Sequence, residues 1–375
     1  MSTSPAPTRT THRPPAPTVS PAQGVWLVAE RELSTRLRAK SFLISTAILL
    51  VAVLAGVLWA GFSAGDSSTT RVAATGAVAA QLPEEAFDVT EVADRAAAEA
   101  LVEAGDVDAA LVEDPASPTG LTVIALDETP SSLVSALSVS PTVELLDPEA
   151  ADDGALRYAI GLVFGLVFFM AAMSFGTPIT QSVVEEKQTR VVEILISAIP
   201  ARVLLAGKVV GNTILAVGQI LLLIATAVIG LVVTGQTEFL QMLGAPVVWF
   251  AVFFLFGFIL LAAMFAAAGA LVSRQEDTGP TLTPLIYLTM IPYFLVIFLS
   301  DNPLVMTILS YVPFSAAVGM PVRLFFTEAQ WWEPLLSLGV LLASCVVVIL
   351  LGAKIYENSL LKMGARVKLK DALKR

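Results

Sequence analysis

Between Val183 and Pro200 the chain reads VVEEKQTRVVEILISAIP. Glu185, Glu186, Lys187, Arg190 and Glu193 crowd into this stretch, and Lys208 follows in GKVVGN. Carboxylates and cations at helical spacing can pair with one another. Glu186 stands four residues before Arg190, the favourable order, worth about 0.2–0.5 kcal/mol. Displayed on one face, the same charges can instead recognise a complementary surface on a soluble partner. The sets that His- or Cys-based catalysis needs are missing. His12 is the only histidine and lies in a start rich in Pro, Thr and Ala, and Cys345 is the only cysteine. No His-based catalysis, His-rich metal site, internal disulfide or Cys/His set follows from them. Gly207–Lys208 fails as a phosphate loop: Val209 stands where Ser or Thr is needed, and no glycine precedes at the required spacing.

The elements that must hold these charges are apolar. The chain has 375 residues, 56% hydrophobic and 14% charged, with a mean hydropathy of +0.79. Soluble domains carry roughly a quarter charged residues, so this is an integral membrane protein. Six charge-free stretches are long enough to cross a bilayer: Phe42–Phe62, Tyr158–Gln181, Val209–Thr234, Val247–Val272, Leu282–Ser300 and Leu335–Ala353. A seventh, Asn302–Val322, is broken by Pro303, Pro313, Gly319 and Pro321. It suits two short half-helices better than a crossing.

Basic residues set the orientation. With six spans and the N-terminus in the cytoplasm, 18 of the 22 Lys and Arg fall inside and 4 outside, a strong positive-inside bias. Both termini are then cytoplasmic. Residues 1–22 read as a disordered tail, 23–41 as an amphipathic helix and 42–62 as span one, too long for a cleaved leader. Residues 63–157 form an acidic outer insertion. In it Asp94 can cap a helix that stops at Gly105, Asp108–Glu113 and Leu121–Leu126 read as strands, and Thr129–Ser138 starts like a helix. Spans two to six occupy 158–353. The basic tail 354–375 suits anionic inner-leaflet lipid, though plain topology signalling explains it equally well. The expected fold class is an all-α polytopic membrane protein, six transmembrane helices with a small α/β extracytoplasmic domain between spans one and two.

Within the charge-free stretches polar content is mild: Thr177, Thr180, Asn212, Gln219 and Thr283. Asn212 and Gln219 share a helix face, which could line a path or a subunit interface, or glue two helices by hydrogen bonds. Spans without ionisable groups disfavour a self-sufficient secondary carrier. Energy would then come from another chain. The segment 183–200 is expected as one amphipathic surface helix, apolar at Val184, Val191, Leu195 and Ala198. It either anchors the loop or docks a partner with its exposed charges.

Val183–Asn212 resembles the signature of NatB-type permeases of the ABC exporter superfamily. The pattern is met by Glu185, Glu186, Lys187, Arg190, Glu193, Ser197, Gly207, Lys208 and Gly211. Glu30–Thr46 resembles the family's amphipathic helix before span one. The resemblance implies a permease subunit of an ATP-driven exporter in the plasma membrane, paired with a second permease as homo- or heterodimer. It implies a separate ATP-binding cassette ATPase, docked through the helix between spans two and three, with Glu185, Glu186, Lys187, Arg190, Glu193 and Lys208 coupling the two. ATP and Mg would sit on that partner; this chain would need no cofactor and no nucleic acid. Relatives export sodium, drugs, peptides or lipids. A rival reading keeps the architecture but transmits force to the outer domain with nothing crossing.

Overall fold

The computed structural model describes residues 20–65, 70–79, 82–83, 87–115, 117, 120–126, 133–134, 137, 148–360 and 369–373. The chain divides into two compact units, Trp59–Pro148 and the remainder. Most of the expected helix Thr129–Ser138, residues 1–19 of the N-terminal tail and residues 361–368 and 374–375 of the basic tail lie outside the described residues.

The larger unit is helical. Helix α1 (Pro21–Arg38) starts on a capping box, with Ser20 and Gln23 exchanging side-chain and backbone bonds. A break at Ala39 leads into α2 (Lys40–Gly65). After the insertion come α5 (Pro148–Gln188), α6 (Val191–Ala198), α7 (Ala201–Val233), α8 (Thr237–Leu271), α9 (Thr278–Phe298), α10 (Pro303–Tyr311), α11 (Ala316–Phe325), α12 (Glu333–Ser359) and the short α13 (Leu369–Leu373). Among the described residues, six helices are long and apolar enough to cross a membrane: Lys40–Ser63, Leu156–Gln188, Ala201–Val233, Phe239–Leu271, Gln275–Phe298 and Glu333–Ser359. The stretch Asn302–Val322 becomes α10 and most of α11. At about 1.5 Å per residue each is far too short to cross.

Phenylalanines at helical spacing lock α5 to α8. Phe164 stacks on Phe250 at 4.8 Å between centroids, and Phe168 and Phe175 meet Phe254 and Phe258 edge-on at 5.9 and 6.0 Å. Small residues let backbones close up beside them. A methyl on Gly269 would stand 2.9 Å from the Thr180 carbonyl oxygen, and the Thr180 hydroxyl donates to Phe265 O at 2.7 Å.

The smaller unit carries a four-stranded sheet of β1 (Thr70–Thr75), β2 (Phe87–Val92), β3 (Ala109–Glu113) and β4 (Leu121–Ile124), in the order β2-β1-β3-β4. Strand β1 runs parallel to β2 and β3, with Val72 opposite Val89 and Ala109, and β4 is antiparallel to β3. Between strands lie α3 (Gly76–Ala79) and α4 (Arg95–Ala104). Asp94 caps α4 through Ala97 N at 2.9 Å, and Gly105 ends it at φ +74°, a left-handed position that suits glycine. Strands β1 and β2 had no sequence expectation. β1 begins where the charge-free window of span one has ended, and β2, FDVTEV, carries too few apolar residues to stand out.

A buried charge clasp as candidate functional site

Two glycines on α7 create the site. Gly207 and Gly211 lie one turn apart and face α1 so closely that a Cβ on Gly207 would sit 2.4 Å from Val28 Cβ. One on Gly211 would sit 2.9 Å from Ala29 O and 3.0 Å from Glu32 Cβ. Small residues four apart let two helix axes approach in this way. Lys208, between them in sequence, is rotated about 100° off the contact, toward the end of α5.

There it is swallowed. The Lys208 side chain is 1% exposed. Its ammonium donates to Glu32 Oε1 at 2.8 Å and to Ser182 Oγ at 2.6 Å, and lies 3.0 Å from Glu186 Oε1. Arg31 approaches that same oxygen at 3.2 Å. One ammonium thus joins carboxylates from α1 and α5, while Arg31 closes the ring from the half-exposed rim. Two negative and two positive charges balance, as buried charges must. Glu186 is close to both cations, yet neither of its oxygens accepts a well-aligned hydrogen bond. Its contacts are charge contacts, not directed bonds. Asn212 donates to Lys208 O at 2.9 Å, while its own Oδ1 has no partner among the described residues. Tyr356 OH, within Coulomb range of Glu186 and Glu32, has none either.

Lys187, beside Glu186, does separate work. It donates to Ala270 O at 2.8 Å and Ser359 O at 3.0 Å, so it sits on the C-terminal carbonyls of α8 and α12, where a cation satisfies unpaired acceptors and complements both dipoles.

Immediately beyond, the backbone turns. Arg190 takes φ +58°, ψ 12°, a left-handed conformation that costs a non-glycine residue about 1–2 kcal/mol. The expected single helix 183–200 is therefore two pieces: α5 runs to Gln188, and α6 restarts at Val191. The Glu186–Arg190 pair does not form, because that turn carries Arg190 away and Arg31 and Lys208 take its place. Three of the six expected coupling residues are also buried rather than displayed: Glu186, Lys187 and Lys208 are 6%, 0% and 0% exposed. Glu185, Arg190 and Glu193 remain on the surface with Ser197 and Ile194. Val192 anchors α6 in the core.

The chemistry points away from nucleotide. Gly207 is consumed by a helix contact and Lys208 by two carboxylates, so neither fits a phosphate. A family model described as an ABC-2 family transporter protein matches residues 40–354. The chain belongs to the ABC-2 transporter family. It is a multi-pass membrane protein. It is 27% identical to the uncharacterized protein YhaP of Bacillus subtilis over 251 residues, 63% of this chain and 59% of that protein. It is also 27% identical to the uncharacterized protein MJ1024 of Methanocaldococcus jannaschii over 217 residues, covering 57% and 52%. The chain thus spans little more than half the length of these relatives. No solved structure matches it.

Other expected residues of this ABC-2 chain do not gather. Thr180 and Asn212 are buried, Thr177 and Gln219 are half-buried, and Thr283 is exposed and bonds its own helix at Gly279 O, 3.0 Å. Thr180 bonds across to α8; Asn212 bonds within α7. The stretches expected as spans hold no Asp, Glu, Lys or Arg, but the helices outrun them, so α5 carries Glu186 and α7 carries Lys208 beyond the charge-free windows. Arg31 and Glu32 were missed altogether, although Gly24, Val28 and Glu32 form one row at four-residue steps. A carboxylate in line with an apolar row is the signal that places Glu32 on the buried face.

A second buried ion pair lies among α10, α11 and α12. Arg323 donates to Glu333 Oε2 at 2.6 Å and Ser310 Oγ at 2.9 Å. Glu333 also accepts from Tyr311 OH at 3.2 Å and Gln330 N at 3.1 Å. Nearby, Arg157 pairs with Glu328 at 2.7 Å and covers the Phe326 ring at 4.1 Å.

Proposed function

We propose that this ABC-2 permease couples to a separate cytoplasmic ATPase through α6, and that the clasp carries the stroke into the membrane helices. The observation that carries the reading is the juxtaposition of a left-handed hinge at Arg190 with a buried ion cluster four residues before it. The partner surface is Glu185, Arg190 and Glu193 around Ile194, which is 71% exposed on a helix that Val192 anchors in the core. An apolar centre ringed by charges is the usual anatomy of a docking patch. ATP and Mg belong to the partner, and a second permease completes the pathway. ATP binding pulls α6. The hinge absorbs the rotation, and Glu186, Lys208 and Glu32 oblige α5, α7 and α1 to move as one body. The positive-inside distribution supports both termini inside, and the motif's resemblance supports export at the plasma membrane.

Glu186→Lys does not test docking, because it would put a second ammonium beside Lys208. Glu193→Lys and Ile194→Asp are. Both sites are exposed, so stability should stay within about 0.5 kcal/mol. Co-purification with the ATPase should fall at least tenfold, as truncating a docking hot spot costs about 2 kcal/mol or more. Unchanged co-purification in both variants would show that α6 is an anchor only.

A further inference from the structure

The end of α12 and the start of α7 flank an open cavity of about 330 Å3, lined by Arg202, Leu350, Ala353, Lys354, Glu357 and Asn358. Leu350, Lys354 and Asn358 stand at four-residue steps, as do Ala353 and Glu357, so they form one face of α12. The face is ordered by chemistry. Leu350 is 65% exposed, and with Ala353 it makes an apolar floor. One turn on stands Lys354, exposed and without an ion-pair partner among the described residues. Arg202 reaches across from α7 and grips Glu357 through Nε at 2.6 Å and Nη2 at 3.1 Å, leaving Nη1 for another acceptor. Asn358 is held in place by its bond to Ala372 O at 2.7 Å. Two cations against one carboxylate leave the lining positive.

Depth gives this order a meaning. Trp331 and Trp332, 81% and 45% exposed, precede α12 and mark a membrane interface, where tryptophan concentrates. Lys354 follows Trp332 by about 33 Å of helix at ~1.5 Å per residue, close to the ~30 Å hydrocarbon thickness. Lys354 therefore stands at the opposite interface, the inner one by the distribution of basic residues. Hydrocarbon wall, then cations, is the sequence of groups along a phospholipid from acyl chain to phosphate. Cationic pockets between helices on the cytoplasmic side suit phospholipid headgroups.

We propose that this cavity binds the phosphodiester of an inner-leaflet phospholipid, with Lys354 and Arg202 Nη1 on the phosphate and an acyl chain along Leu350 and Ala353. Free phosphate would leave the apolar floor without an occupant. The site does not depend on the coupling reading of α6.

The test is retention of lipid by the purified full-length chain, counted by native mass spectrometry after exchange into detergent with added phosphatidylglycerol or phosphatidylethanolamine. Lys354→Gln removes one interfacial charge and should lower phosphatidylglycerol retention roughly fivefold, and Lys354→Glu about thirtyfold. Lys40→Gln, a control at an exposed interfacial lysine outside the cavity, should leave retention unchanged. Inorganic phosphate in excess should not displace the lipid. Phosphatidylethanolamine, which shares the phosphodiester, should be retained within about threefold of phosphatidylglycerol, on the reading that the phosphate is the group recognised. Equal retention by Lys354→Glu and the native chain would overturn the proposal. So would an equal fall in Lys40→Gln, displacement by inorganic phosphate, or retention of phosphatidylglycerol alone.

Discussion

The two buried ion clusters differ in how completely they are satisfied. Around Arg323 and Glu333 every buried side-chain oxygen and nitrogen among the described residues has a partner, and the contributing helices α10, α11 and α12 follow one another in sequence. Around Lys208 the partners come from α1, α5 and α7, and Glu186, Asn212 and Tyr356 keep atoms with no hydrogen-bond partner. An unmet buried polar atom costs about 1–3 kcal/mol. The finished cluster is a staple that holds two short helices against a long one. The unfinished cluster instead ties together three helices far apart in the chain, which is what moving them as one body requires.

The largest effect separates the two. Lys208→Met alone leaves Glu32 without a cation and Glu186 with only the half-exposed Arg31, and should cost about 3–5 kcal/mol; Glu333→Leu alone strands Arg323 at a similar cost. Replacing the buried members of each cluster with apolar residues removes that penalty, and Arg31, half exposed, keeps its contact with water, so both sets should fold to within about 1 kcal/mol of the native chain in thermal unfolding. They should then part in function. Arg323→Met with Glu333→Leu should keep the permease-dependent ATP turnover of the partner. Glu32→Leu, Glu186→Leu and Lys208→Met together should lose it. Equal turnover in both would erase the distinction.

Packing around the clasp gives the next effect. Gly207→Ala forces a methyl to 2.4 Å from Val28 Cβ, between two helix backbones that cannot easily part. Overpacking of this kind costs about 1–3 kcal/mol. Gly218, on the same helix, has nothing within 4 Å of a Cβ, and Gly218→Ala should stabilise by up to ~1 kcal/mol through helix propensity. Opposite signs in thermal unfolding would locate the close contact at the clasp; equal signs would deny it.

The smallest effect comes from an exposed pair in the sheet unit, a foil for both buried clusters. Asp108 accepts from the Arg71 side chain and backbone, both at 3.0 Å, and these bonds hold its carboxyl below the usual range. With the folded value depressed, the pair's contribution is fully present above the unfolded pKa of about 3.9. It is lost as pH falls through the folded value. Both side chains are about half exposed, so Asp108→Asn should cost less than about 1 kcal/mol near neutrality and nothing in strong acid. A larger or pH-independent loss would contradict the assignment.

Much of this was legible in the sequence. Hydropathy length gave the six crossing helices, and the cap and stop residues Asp94 and Gly105 gave α4. Prolines 303 and 313 gave the broken helices. What was not legible was direction. Glu185 and Glu186 are adjacent and chemically alike, yet one faces outward and the other is buried. The choice depends on α1, which lies some 150 residues earlier and reaches α5 only because Gly207 and Gly211 admit it. The hinge was hidden for a related reason. Arg190 is a good helix former, and its left-handed backbone follows from the separate packing of α5 and α6 rather than from its own preference.

The most direct test of the clasp is the distance between α1 and the end of α5. Spin labels at Trp26 and Gln188, both exposed, on a Cys345→Ala background, can be measured in the complex with its ATPase, with and without ATP. The account predicts one narrow distance that nucleotide does not change in the native clasp, and a broad, ATP-dependent distribution once Glu32, Glu186 and Lys208 are replaced by Leu, Leu and Met. A distribution equally narrow and equally insensitive to ATP in both proteins would contradict it.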